Sequence, residues 1–125
     1  MKESIIQNKI RCSLSSPDRI VFRTNAGTFY QGDARTVNKI DSIEYAHPVR
    51  ILTKLRTIEG LPKGFSDLIV IDRKGIAFIE TKNETGQARD EQIKFINRMK
   101  QLGHRAGFAR SVEDALKIVG GINND

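Results

Sequence analysis

Gly64-Phe65-Ser66-Asp67-Leu68-Ile69-Val70-Ile71-Asp72-Arg73-Lys74-Gly75-Ile76-Ala77-Phe78-Ile79-Glu80-Thr81-Lys82 is the stretch that decides the fold. Two short apolar runs, 68–71 and 76–79, flank Asp-Arg-Lys-Gly at 72–75. That spacer carries the Asp and Gly that tight turns favour, so the pattern predicts two strands folded back on each other. Alternate side chains line opposite faces of a strand. Leu68, Val70, Ala77 and Ile79 then share one face, and Ile69, Ile71, Ile76 and Phe78 the other. Both faces are apolar, as in central strands covered on both sides.

The charged residues do not fit a bland hairpin. Asp67 opens the first strand, and Glu80 and Lys82 close the second. With Arg73 and Lys74 as the loop, Asp72 pairs with Gly75 and Asp67 faces Glu80. A shifted turn sets Asp67 opposite Thr81 or Lys82 instead. Asp67 shares a face with Glu80 and Lys82 in the first and last of these registers. Opposed residues lie roughly 5 Å apart. Two carboxylates that close, in a partly dry place, repel unless a cation sits between them. The arrangement fails as a metal site if Asp67 faces Thr81 without a bulge to re-aim it.

Outward from the hairpin, Ile6, Ile10 and Leu14 recur every four residues and predict a helix over 3–14. Glu3 falls on that inward face, although a first-turn acid also suits the helix dipole. Residues 19–30 read as strand with a bend at Asn25-Ala26-Gly27, 32–41 as polar loop, and 49–52 as a possible strand within a poorly readable region. Gly60 and Gly64 lead into the hairpin and allow backbone to approach a ligand. A helix follows over about 89–102, with Phe95, Ile96 and Met99 inward and Gln92 beside them. An inward amide needs hydrogen-bond partners: it is either a satisfied core glutamine or a group that orients Lys82 or a carboxylate. Residues 104–110 suggest a strand. Ser111 caps a last helix whose apolar side is Ala115, Leu116 and Val119.

The 125 residues suit one domain spanning 1–125, with a core of its own. No apolar run approaches the roughly 20 residues that span a bilayer, and the N-terminus lacks a signal-peptide pattern. Cys12 is the only cysteine and reads as a small buried residue. A cytoplasmic, reducing location fits. The net charge of +6 and pI near 9.7 favour a polyanionic partner. His47 and His104 are too scattered for an all-histidine metal site.

An acid at 67 followed by Glu-x-Lys at 80–82 offers hard oxygens that suit Mg²⁺ or Mn²⁺. Such an ion polarises a phosphoryl oxygen and lowers the pKa of a bound water. Lys82, projecting to the same side as Glu80, stabilises charge building on phosphorus.

The runs Gly64-Phe65-Ser66-Asp67-Leu68-Ile69-Val70 and Phe78-Ile79-Glu80-Thr81-Lys82, with Gln92 and Ile96, resemble the PD-(D/E)XK nuclease superfamily. Within it the chain is similar to a VRR-NUC (virus-type replication-repair nuclease) domain. The opening Glu3-x-x-Ile6-Gln7, the helix end Gln101-Leu102-Gly103 and Arg110-Ser111-Val112-Glu113-Asp114 extend the likeness over nearly the whole chain. Residues 31–59 are the least accounted for. The resemblance implies an α/β, restriction-endonuclease-like fold with an αβββαβ core, a mixed central sheet flanked by helices. It implies divalent-metal-dependent cleavage of DNA, with Glu3, Asp67, Glu80, Lys82 and Gln92 as the catalytic set. Asp67, Glu80 and Thr81 become the metal-holding positions. Small stand-alone members resemble phage-encoded homodimers that cut branched DNA such as four-way (Holliday) junctions. Ser66 stands where the family usually has proline. Thr81 replaces a more usual apolar residue, and its side chain is expected to face away from the site. A non-catalytic nucleic-acid-binding module and a purely structural ion cluster are the other readings. The intact acid-acid-lysine set argues against the first of them.

Overall fold

The computed structural model describes residues 1–24, 26 and 28–121. Its elements in order are α1 (Glu3–Leu14), β1 (Arg19–Arg23), β2 (Thr28–Ile40), β3 (Ile43–Glu59), β4 (Leu68–Asp72), β5 (Gly75–Thr81), α2 (Asp90–Gln101), β6 (Arg105–Ala109) and α3 (Val112–Val119). They fall into two compact units, Met1–Ala26 with Leu61–Asp125, and Gly27–Gly60.

The first unit holds a four-stranded mixed sheet in the order β1-β4-β5-β6. β4 is antiparallel to both β1 and β5, and β5 and β6 run parallel. Parallel neighbours need a crossover, and α2 supplies it. With α1 at the start, this is the αβββαβ order implied by the resemblance, and α3 is added at the end. β4 and β5 are the two central strands, as their two apolar faces required. Leu68, Val70, Ala77 and Ile79 pack with Ile6, Ile10 and Leu14 of α1 and Ala115, Ile118 and Val119 of α3. Phe78 packs with Ile96 and Ala106 on the other face, where Phe65, Ile69, Phe95, Met99 and Phe108 close the layer. Two expectations about the core need correction. Leu116 is exposed and Ile118 takes its inward place. Cys12 is exposed, because Ile6, Ile10 and Leu14 already define the buried stripe of α1.

The turn sets the register. Asp72 pairs with Gly75, and the ladder runs back without a bulge to Leu68 opposite Ile79. Gly75 carries a φ of +113°, a value that side chains disfavour. The Asp72 carboxylate accepts from the Lys74 N–H at 2.9 Å, which closes the turn locally. Gly64 (φ +93°) allows a close packing contact: a Cβ there would meet the Glu91 carbonyl oxygen at 2.7 Å. The loop ahead of β4 therefore rests on the first turn of α2.

The second unit is an antiparallel ribbon of β2 and β3, turned at Asp41 and Ser42. The polar loop expected over 32–41 is thus strand, and the possible strand at 49–52 is part of a much longer one. Register shifts between Gln31 and Asp33 and between Val37 and Lys39 interrupt the pairing. Both faces are largely exposed, so alternation is not enforced and the strands carry no period-two pattern. The bend expected at Asn25-Ala26-Gly27 rests on Asn25 and Gly27, which lie outside the described residues. The strands around it do not pair with each other, since β1 pairs with β4 and β2 with β3.

At the sheet end remote from Asp67, Asp72 receives a two-pronged bond from Arg105, at 2.7 and 2.9 Å. Arg105 also donates to the Val119 carbonyl at 2.7 Å, joining β4, β6 and the end of α3. The guanidinium holds the Asp72 carboxyl below its ordinary range. This contribution to stability is present above that range and lost as acid protonates Asp72. The side chains are only 11% and 13% exposed. Asp72→Ala should cost about 2 kcal/mol in urea unfolding at pH 7, between an exposed and a fully buried pair. A loss within experimental error would show that the pair does not hold these elements together.

Candidate active site

Three elements deliver carboxylates to one place. Glu3 comes from the first turn of α1, Asp67 from the residue ahead of β4, and Glu80 from near the end of β5. One carboxylate oxygen from each lies within 4.8 Å of the others. The observed register puts Asp67 level with Glu80, the first of the three alternatives. Glu80 is 2% exposed and Lys82, two residues on, is 5% exposed. The Lys82 ammonium stands 3.9 Å from Glu80 Oε1.

Glu80 is held from both sides of its carboxylate. Gln92 Nε2 donates to Oε1 at 2.7 Å, and the Asp67 N–H donates to Oε2 at 3.1 Å. The orientation of Gln92 has a local cause. Its carbonyl oxygen accepts from the Arg89 N–H at 2.9 Å at the start of α2, which turns the amide nitrogen toward Glu80. The inward amide is thus hydrogen-bonded at both ends, one of them to a carboxylate of the cluster.

Asp67 makes the arrangement's least expected contact. Its Oδ2 accepts from the Thr81 N–H at 3.0 Å and from the Thr81 hydroxyl at 2.6 Å. The expectation that Thr81 faces away from the site is therefore corrected. Alternation does turn Thr81 toward the α1 face, opposite Glu80 and Lys82. Asp67 lies beyond the last ladder pair, so its side chain reaches across the strand end to that face. Gln7 of α1 donates to the same hydroxyl at 3.4 Å. Gln7 had no site role in the sequence reading; its spacing of four from Glu3 on one helix face was the available signal.

The electrostatics are those of crowded acids. Burial, above all, pushes the Glu80 carboxyl up to about 8. The charge of Asp67 adds to this and Glu3 contributes further, while Lys82 and the Asp67 N–H oppose it. With all groups ionised, three carboxylates against one ammonium leave two negative charges, the charge of one divalent ion. Hard carboxylate oxygens suit Mg²⁺ or Mn²⁺. The donor set fits such an ion by number, chemistry and charge.

A sequence model of the VRR-NUC domain matches residues 1–113. The chain belongs to the VRR-NUC domain family. Comparison with curated proteins gave no match, and comparison with solved structures gave none. The family match spans both compact units and nearly the whole first unit. Membership in this branch of the PD-(D/E)XK superfamily implies a nuclease-type function. The mixed sheet between helices is the fold that accompanies it. No helix among the described residues is long and apolar enough to cross a membrane.

The raised Glu80 has a consequence for the metal-free VRR-NUC chain. Between its ordinary 4.5 and about 8 the folded state holds a proton that the unfolded state has lost. Stability from this group is therefore full below 4.5 and lost as pH rises to about 8. Urea unfolding in EDTA should show stability falling by up to about 1.4 kcal/mol per pH unit in that window. Glu80→Gln should flatten the slope; an unchanged slope would assign it to another group.

Proposed function

We propose that this protein is a divalent-metal-dependent DNA endonuclease selective for branched DNA such as four-way junctions. The observation that carries the reading is the convergence of Glu3, Asp67 and Glu80 beside the buried Lys82. Asp67 and Glu80 would hold Mg²⁺ or Mn²⁺, with Glu3 supporting the ion or its water. Thr81 would complete the set through its backbone carbonyl, because an N–H cannot ligate a cation and its hydroxyl already donates to Asp67 and accepts from Gln7. A bound ion of this kind polarises a phosphoryl oxygen and acidifies water.

The chain's own groups supply the rest. Lys82 brings a positive charge, with little competing water, to where negative charge builds on phosphorus. Gln92 fixes the Glu80 carboxylate, so that it presents the same oxygens before and after substrate arrives. The basic surplus of +6 draws in a polyanion, and Lys and Arg contacts to backbone phosphates make such binding salt-dependent. With Mg²⁺, the protein should cut branched DNA in a panel of linear, flapped, forked and four-way substrates. Lys82→Ala should cut about 10²–10³-fold more slowly while still binding DNA. Equal cutting by wild type and Lys82→Ala would sink the site assignment. Binding without cutting by the wild type would favour a non-catalytic module.

Two cuts across a symmetric junction call for two sites, and a C2 pair is the simplest way to provide them. The single domain 1–125 would then act as one half of a homodimer. Residues 31–59 are the candidate pairing surface. Ile43, Leu52, Leu55 and Ile58 of the ribbon are exposed, and a lone two-stranded ribbon is marginal in water. Light scattering at micromolar concentration should give twice the 14.1 kDa chain mass, and Leu55→Asp should halve it. A monomer mass for the wild type would rule the pairing out.

A further inference from the structure

Asp67 stands one residue ahead of β4, where the ladder no longer fixes a side chain. Its main chain is held, since its N–H donates to Glu80 and its carbonyl accepts from the Thr24 N–H at 2.8 Å. Its carboxylate has a separate support on the α1 side of the sheet. Thr81, with 0% exposure, gives it both an N–H and a hydroxyl. Gln7 stands behind that hydroxyl.

We propose that Gln7 and Thr81 form a positioning relay that aims the Asp67 carboxylate at a divalent cation. The proposal rests on the metal-site reading above and extends it to residues that touch neither cation nor substrate through these groups. The direction of the relay follows from donor and acceptor chemistry. Ionised Asp67 has no proton to give, so the 2.6 Å contact uses the Thr81 hydroxyl proton. Gln7 Nε2 is a donor and fills a lone pair on the same hydroxyl oxygen. Each group thus has one role, and the hydroxyl cannot turn away without breaking two bonds.

The geometry also divides the carboxylate. Both Thr81 donors go to Oδ2, leaving Oδ1 uncommitted to Thr81. A carboxylate pinned by one oxygen cannot rotate freely, and it offers the other oxygen in a fixed direction. The N–H alone supplies part of this, as any residue but proline at 81 would. The hydroxyl is the part that only Thr or Ser provides. Serine keeps the donor; valine keeps the volume and the β-branch and removes it.

Mn²⁺ titration calorimetry on the full chain, without DNA, tests the relay. Thr81→Val should weaken Mn²⁺ binding about tenfold, the ordinary loss when a group supporting a ligand is removed. Thr81→Ser should restore wild-type affinity. Gln7→Leu should weaken binding by a smaller factor in the wild-type background and add nothing in the Thr81→Val background. The metal-free melting temperatures of the Val and Ser variants should agree, which separates aiming from folding. Wild-type affinity in Thr81→Val, failure of Ser to rescue, or an equal Gln7→Leu loss in both backgrounds would each overturn the relay while leaving the metal site standing. No Mn²⁺ binding by the wild type would overturn both. If the valine variant does not fold, Gln7→Leu and Thr81→Ser still decide. Weakened binding in the first and wild-type binding in the second support the relay, and wild-type binding in Gln7→Leu overturns it.

Discussion

A carboxylate buried beside two others is the constraint on which this structure turns. Glu80 sits at the end of a central strand, out of reach of bulk water, with Asp67 and Glu3 close by. Desolvation and like charge both oppose its ionisation. The neighbours read as a response. Gln92 and the Asp67 N–H each occupy one oxygen, and Lys82 supplies the nearest positive charge. Three acids still outnumber one ammonium, so a proton or a cation must complete the balance. A fold that keeps such an imbalance at its core gives up stability to it.

The site depends on the turn at the opposite end of the hairpin. Because Asp72 pairs with Gly75 and no bulge intervenes, parity carries Asp67 to the level of Glu80. A one-residue slip would exchange the faces of every side chain on one strand. It would take Asp67 away from the Glu80 oxygen and exchange the side chains fitted to α1 and α3 for those fitted to α2. The two apolar faces of β4 and β5 penalise that slip twice, once against α1 and α3 and once against α2. Core packing and site chemistry thus select the same register.

That coupling explains what could be read from the sequence. The helices and the hairpin are periodic and bury most of what the pattern selects, with Leu116 and, at the turn end of the hairpin, Ile71 and Ile76 left exposed. Asp67, Glu80 and Lys82 were legible because charge at the end of an apolar face is conspicuous. Glu3 and Gln92 were legible from helix periodicity. The ribbon was not, because neither of its faces is buried enough to impose alternation on residues 28–59. Thr81 was misread for a different reason. Strand parity gave its face correctly, but Asp67 is not in the ladder and is free to reach that face. Parity arguments lose force one residue beyond the last pair.

The site therefore straddles its sheet. Glu80 and Gln92 approach from the α2 side, Glu3, Gln7 and Thr81 from the α1 side, and Asp67 joins them around the strand end. Both helical layers must be in place before the acids converge. The chain leaving the site is fixed as firmly as the chain entering it. The Lys82 N–H donates to the Ala109 carbonyl at 3.0 Å, extending the parallel β5–β6 contact past Thr81. Arg110 then donates to the carbonyls of Asn83 and Gly86, at 2.5 and 2.7 Å, and ties down the loop that follows. Lys82 is consequently held by its backbone and buried along its stem, with its ammonium as the part left to respond to charge. A flexible lysine at this position would spend most of its time in water. The buried one faces the crowded acids, 3.9 Å from Glu80 Oε1.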